Sequence, residues 1–252
     1  MLHIGIPAYN EAPTIGVLIW RIRKVFAEFP REYAVTVFND GSTDSTAEVL
    51  GPYSEALGIT VMGREQRVGY ARALDELIRA TTAAVRYPRR DAVIIMQGDF
   101  TDQPEHLPEL IKRFEGGADI VVGEPSVEPL DPKPVRRLRK VTPWLLRRLA
   151  SVPGVRDPLG SYRLFRVSVL RDALKAAGAA PLVQGEGWEA NLDLLLATAP
   201  HARRIEPVLL PPRYDLRPRE SRVRPFGDAL RLYRFGRNLR VRRPSPQLAG
   251  RS

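Results

Sequence analysis

Short apolar runs alternate with longer stretches of helical spacing along the first 125 positions. Leu2–Ile6 is an apolar run of the kind that forms a buried strand, and Val35–Phe38, Ile59–Met62, Ala92–Met96 and Ile120–Val122 repeat it. Between them lie stretches with a different period. Ile15, Leu18, Ile19, Ile22 and Phe26 fall on one stripe within 12–29, which predicts a helix. Further helices are predicted from about Ser45, over 69–84, and from Pro104 through Phe114, with Asp102 as the expected cap. The fourth run is wholly apolar, as expected of a central parallel strand. Strand and helix in alternation predict an α/β fold with a mainly parallel central sheet flanked by helices.

Prolines at 125, 129, 132 and 134 interrupt this rhythm. Beyond them the pattern predicts helices over 142–150, 168–177, 187–199 and 226–239, and strands at Tyr162–Phe165 and Val208–Leu210. The expected organisation is an α/β half over 1–124, a second half over 125–242 in the same globular domain, and a disordered tail over 243–252, where Pro, Ser, Gly and Arg dominate.

Charge separates the same two halves. Residues 1–132 hold 13 Lys/Arg and 20 Asp/Glu, a balance of −7, whereas 133–252 hold 26 and 9, a balance of +17. The basic half calls for an anionic partner. Arg136, Arg137, Arg139, Lys140, Arg147 and Arg148 surround Trp144, Leu145, Leu146 and Leu149, a composition suited to an anionic membrane surface. A nucleic acid is disfavoured, because the strand-end carboxylates repel phosphates and no nucleic-acid-binding pattern is present. The chain has no cysteine, which excludes disulfides and thiolate chemistry. The N-terminus lacks the basic and apolar regions of a signal peptide, and no stretch approaches the roughly 20 apolar residues of a membrane span. The expected location is cytoplasmic, with peripheral contact at the inner face of the membrane.

Ligands of open parallel sheets sit at the carboxyl ends of the strands. Three predicted strands end there in polar clusters: Pro7-Ala8-Tyr9-Asn10-Glu11, Asn39-Asp40-Gly41-Ser42, and Gln97-Gly98-Asp99-Phe100-Thr101-Asp102. Carboxylates accept from base or ribose donors, and an aromatic ring stacks on a base. A carboxylate after the fourth strand can hold Mg or Mn against a diphosphate, since hard cations prefer oxygen.

The segments 4–11, 38–46, 67–74 and 96–105 together resemble the large inverting glycosyltransferase family with the A-type fold, family 2. Within 130–235, Val155-Arg156-Asp157-Pro158-Leu159-Gly160-Ser161-Tyr162-Arg163 and Arg219-Glu220-Ser221-Arg222 resemble its polyprenyl-phosphate branch. The resemblance implies a Rossmann-like nucleotide-binding fold. It also implies transfer of a mannose- or glucose-type hexose from a nucleoside diphosphate sugar to a polyprenyl or dolichyl phosphate. It sets Pro7, Tyr9, Glu11 and Asp40 around the nucleoside, and Gln97 and Asp99 at the family's Asp-x-Asp metal motif. Arg163, Arg219 and Arg222 become phosphate partners. Asp99, Asp157 and Arg163 form the candidate catalytic set. Gln97 departs from the motif by bringing an amide in place of a charge, Gly160-Ser161 reverses the usual order, and Arg222 replaces a lysine. A hydroxyl acceptor is the alternative and would need a base, for which Asp157, Glu186 and Glu189 are candidates. A non-catalytic nucleotide-sugar-binding protein is a further alternative. The donor base and sugar are not legible.

Overall fold

The computed structural model describes residues 1–125, 152–185 and 187–210. The helices expected over 142–150 and 226–239, the basic segment 136–148, Glu186, Arg219, Arg222 and the tail lie outside the described residues.

The chain runs β1 (Leu2–Ala8), α1 (Ile15–Glu28), β2 (Tyr33–Asp40), α2 (Thr46–Leu57), β3 (Thr60–Arg64), α3 (Tyr70–Ala84) and β4 (Ala92–Ile95). A 3-10 turn at Pro104–His106 then leads into α4 (Leu107–Glu115) and β5 (Ile120–Pro125). After the undescribed segment come β6 (Arg163–Arg166), α5 (Val167–Ala177), α6 (Trp188–Thr198) and β7 (Ile205–Leu210). All seven strands join one sheet in the order β3-β2-β1-β4-β6-β5-β7. Every pairing is parallel except those of β6, which runs antiparallel to both β4 and β5.

Strand alternation distributes the apolar side chains to the two faces of the sheet. Ile4, Ile6, Ala92, Ile94 and Met96 pack with Leu18, Ile22, Leu110 and Ile111 in one cluster under α1 and α4. Phe38, Val93, Ile95 and Phe165 pack with Leu74, Leu77, Leu170 and Leu195 in a second, under α3, α5 and α6. Burial of each such Leu or Ile stabilises the fold by about 1.5–3 kcal/mol. Gly5 lets α3 approach the sheet closely. A Cβ there would lie 3.0 Å from Leu77 Cδ2 and 3.1 Å from Ile95 Cδ1.

Several element ends differ from the sequence pattern. β2 continues through Asn39 and Asp40, which pair with Gly63 and Arg64 of β3. Helix α1 begins at Ile15, because 11–14 form a turn in which Thr14 and Ile15 N–H both donate to the Glu11 carbonyl. Asp102 is not a helix cap. Its Oδ2 accepts from Gln97 N–H at 2.8 Å and from Ser161 Oγ at 2.9 Å, while the 3-10 turn at Pro104 has no side-chain cap.

One titration bears on stability. His3 is partly buried in β1 and its Nε2 has no hydrogen-bond partner. Burial lowers its pKa below the ordinary 6.5, against the opposing pull of Asp91. Its stabilising contribution is fully present above the ordinary value and is lost as pH falls through it. The melting temperature is expected to drop between about pH 7.5 and about pH 5.5, and His3→Gln to reduce that drop by roughly 1–3 °C in a thermal melt. An unchanged drop in the variant would exclude His3 as the source.

Candidate nucleotide-sugar site

The sheet order places the carboxyl ends of β2, β1 and β4 side by side, and with them the three polar clusters. Hydrogen bonds tie the first two together. Asn10 N–H donates to Ser42 Oγ at 3.0 Å, and Thr43 N–H donates to Asn10 Oδ1 at 2.8 Å. Glu11 N–H donates to Thr46 Oγ1 at 2.9 Å, and Ala12 N–H to Asp44 Oδ2 at 3.2 Å. Asn10 takes the left-handed conformation, φ 56°, which Asn tolerates better than most residues. The third cluster meets the first at Gly98. A Cβ on Gly98 would lie 3.3 Å from Glu11 Cγ.

Asp40 is 3% exposed, and its two carboxylate oxygens accept from Val68 N–H at 2.6 Å and Gly69 N–H at 3.0 Å. It therefore anchors the loop before α3 rather than offering a free carboxylate to a base or ribose. That loop carries Arg67, whose guanidinium lies 4.0 Å from the Tyr9 ring centroid and 3.9 Å from Asp40 Oδ2. One face of the ring expected to stack on a base is thus covered by an exposed cation. Pro7 is buried in β1, while Tyr9 and Glu11 are partly exposed.

Gly41 holds this arrangement open. It sits at φ +62°, and a Cβ there would lie 2.5 Å from Arg67 N and 2.6 Å from the Gln66 carbonyl carbon. Both neighbours are backbone, so Gly41→Ala must displace the loop. The left-handed conformation adds about 1–2 kcal/mol. The variant is expected to bind nucleotide at least about tenfold more weakly, read by calorimetric titration. Unchanged affinity would mean that Arg67 and its loop do not touch the ligand.

Gln97 and Asp99 follow β4, both partly exposed. Asp99 Oδ1 accepts from Thr101 N–H at 3.0 Å, and the next residue, Phe100, is buried at φ 62°. Gln97 Nε2 donates to the Tyr70 hydroxyl at 2.9 Å, and that hydroxyl donates to Asn191 Oδ1 at 2.8 Å. Burial, with the Asp102 charge beside it, raises the Tyr70 pKa well above the phenol range, so the hydroxyl keeps its proton. Among the described residues, no three His, Asp or Glu side chains are grouped to hold a metal by themselves. A single carboxylate with an amide oxygen fits a hard cation only when diphosphate oxygens and water complete its shell, a common arrangement for Mg.

The second half reaches the same rim through the start of β6. Ser161 binds Asp102, and the Tyr162 hydroxyl donates to the Gln103 carbonyl at 3.0 Å. Glu124 is 3% exposed, and its Oε1 accepts from Arg156 and Asp157 N–H at 2.5 and 3.2 Å. Asp157 is partly exposed, with Oδ1 accepting from Leu159 N–H at 3.1 Å. Glu189 is 7% exposed, on α6. Arg163 departs from its expected place as a phosphate partner. It is 1% exposed and donates to the carbonyls of Pro158 and Asn191. Burial lowers its pKa to about 10, with Asp157, Tyr70, Asp102 and Glu124 opposing. Arg163 thus ties the loop at Pro158 to α6 from within the core.

Three residues join the rim that the sequence pattern does not single out: Arg67 and Tyr70, within the 67–74 segment, and Asn191. The available signal was Glu189, Asn191 and Asp193, three buried polar positions alternating with apolar ones in the first half of a helix.

A glucosyl-3-phosphoglycerate synthase from Mycobacterium tuberculosis, solved with Mn2+, UDP and glucosyl-3-phosphoglycerate, superposes with a TM-score of 0.62 at 21% identity, covering 98% of this chain and 81% of that one. The same synthase with Mn2+ and UDP-glucose gives 0.62 at 21% identity, with 98% and 80% covered. The expected A-type fold is therefore the fold of this chain. In sequence, the bactoprenol glucosyl transferase of Shigella phage SfX is 27% identical over 174 residues, 68% of this chain and 54% of the relative. The SfII prophage-derived bactoprenol glucosyl transferase of Shigella flexneri is also 27% identical over 174 residues, 68% of this chain and 53% of the relative. The chain spans about half the length of these curated relatives. The family model described as "Glycosyl transferase family 2" matches residues 3–174, well over half of the 252 residues. With the strand-end clusters converging as they do, the chain belongs to glycosyl transferase family 2.

Proposed function

We propose that this chain transfers a hexose, with inversion, from a nucleoside diphosphate sugar to a polyprenyl phosphate at a membrane surface. The observation that carries the reading is the meeting of Tyr9–Glu11, Asp40–Ser42 and Gln97–Asp99 at one rim of the sheet. The polyprenyl acceptor is supported by the names of the curated relatives, bactoprenol glucosyl transferases, which also make glucose the first donor sugar to test.

Pro7, Tyr9 and Glu11 border the nucleoside, with Asp40 acting through the Arg67 loop. Asp99, helped by the amide oxygen of Gln97, holds a divalent cation together with the diphosphate. When bound there, such a cation would supply positive charge against the departing nucleoside diphosphate. The chain's own task is orientation, placing the acceptor in line with the anomeric carbon. A phosphate acceptor is already ionised at neutral pH and needs no base. Arg219 and Arg222 are its proposed partners. No helix among the described residues is long and apolar enough to cross a membrane. The basic second half is the proposed contact with anionic lipid.

The test is a panel of UDP- and GDP-sugars, with and without Mg or Mn, assayed with and without polyprenyl phosphate. Nucleoside diphosphate is expected only when sugar, cation and lipid phosphate are all present. Equal turnover of a soluble hydroxyl acceptor without lipid would replace this reading by the alternative, in which Asp157 at the rim becomes the candidate base.

A further inference from the structure

The hydrogen bonds around Gln97 fix which end of its amide meets the cleft. The Leu159 carbonyl can only accept, and it takes a bond from Asn191 Nδ2 at 3.0 Å. Asn191 Oδ1 must then face the other way, towards the Tyr70 hydroxyl 2.8 Å distant. An amide oxygen also only accepts, so the single proton of Tyr70 goes to Asn191. The side of the Tyr70 oxygen that remains offers lone pairs. Its 2.9 Å neighbour has to be a donor, and Gln97 Nε2 is that donor. Gln97 Oε1 is the end that remains, on a residue partly exposed at the rim. The far anchor is firm, because Asn191 is 4% exposed and its backbone carbonyl also accepts from Arg163.

Resting on the donor-site reading above, we infer that Tyr70 and Asn191 are positioning residues that present the Gln97 amide oxygen to an electron-poor group of the donor, and that their donor–acceptor order admits a neutral amide at 97 where a carboxylate would be rejected. A carboxylate at 97 would set an acceptor against the lone pairs of Tyr70. Turning the Tyr70 proton towards it would only move the conflict to Asn191 Oδ1. Turning the Asn191 amide would move it to the Leu159 carbonyl. Each escape leaves two acceptors in contact in a partly buried place, which is what makes the order selective.

The test is a double-mutant cycle of wild type, Gln97→Glu, Tyr70→Phe and the double variant, melted at neutral pH without metal or nucleotide. Gln97→Glu is expected to lower the melting temperature by roughly 5 °C in the wild-type background, and by no more than about 2 °C in the Tyr70→Phe background, since a phenyl ring neither donates nor accepts. Additive effects would overturn the relay. The positioning claim is read separately by calorimetry on wild type and Tyr70→Phe. With UDP or GDP and Mn2+ present, Tyr70→Phe is expected to weaken cation binding roughly 3–10-fold, because the amide is free to turn. A loss confined to Mn2+ assigns Oε1 to the cation. A loss that persists with UDP-glucose in chelator assigns it to a sugar hydroxyl. No loss in either arm overturns the positioning claim. Wild type that binds no nucleotide at all sinks the donor-site reading, while the metal-free thermal cycle still decides the relay.

Discussion

Replacing Asp99 by Asn is expected to slow transfer by about 10³-fold, equivalent to about 4 kcal/mol of transition-state stabilisation, while leaving the melting temperature within a few degrees of wild type. The substitution is isosteric and keeps Oδ1, so the 3.0 Å bond from Thr101 N–H survives. What disappears is the negative charge. Gln97 is neutral, and Asp102 accepts from Gln97 N–H and Ser161 within the fold, so the cation would lose the charged ligand that the rim after β4 supplies. Steady-state release of nucleoside diphosphate at saturating Mn2+ checks this. Activity within tenfold of wild type would show that Asp99 does not hold the cation.

The second large effect is on stability. Arg163→Met is expected to lower unfolding free energy by about 3–5 kcal/mol, a fall of roughly 10 °C in the melting temperature. The guanidinium has Asp157, Asp102 and Glu124 as electrostatic neighbours and satisfies two buried carbonyls. Methionine fills similar volume but leaves those carbonyls without donors and the carboxylates without a cation. The depressed pKa, about 10, means that the folded state disfavours the charge. That unfavourable contribution is present at all pH values below about 10 and fades only as pH rises towards the ordinary guanidinium value. The loss on mutation therefore comes from the stranded partners, and it should be undiminished at neutral pH. A melt of the variant indistinguishable from wild type would contradict this.

These two residues also mark how far the sequence could be read. Each strand carries its own signal, because a run such as Ala92–Met96 is apolar on both sides whatever lies beside it. The partners of a strand carry no such signal. Nothing local to Arg163–Arg166 says that it inserts antiparallel between β4 and β5, since that depends on the path of the chain between 125 and 162. The strand-end clusters were legible because short polar runs after apolar ones are visible in one dimension. Which carboxylate faces the ligand was not. Asp40 closes β2 and Asp99 lies four residues beyond β4, and nothing in either segment says that backbone amides from 28 and 29 residues away occupy both oxygens of Asp40. The Arg163 side chain was read by its charge, and its burial follows only from the meeting of β6, α6 and the 156–161 loop.

The reversed strand changes which side chains the rim of the sheet can recruit. Because it runs against its neighbours, β6 starts at Arg163 beside Ile95, the last residue of β4, and beside Val122, three residues short of the end of β5. The residues just ahead of it lie at that rim, where Ser161 Oγ donates to Asp102. A sheet of wholly parallel strands furnishes only outgoing segments at that edge, whereas this one adds an incoming segment, so side chains from both directions of the chain share it.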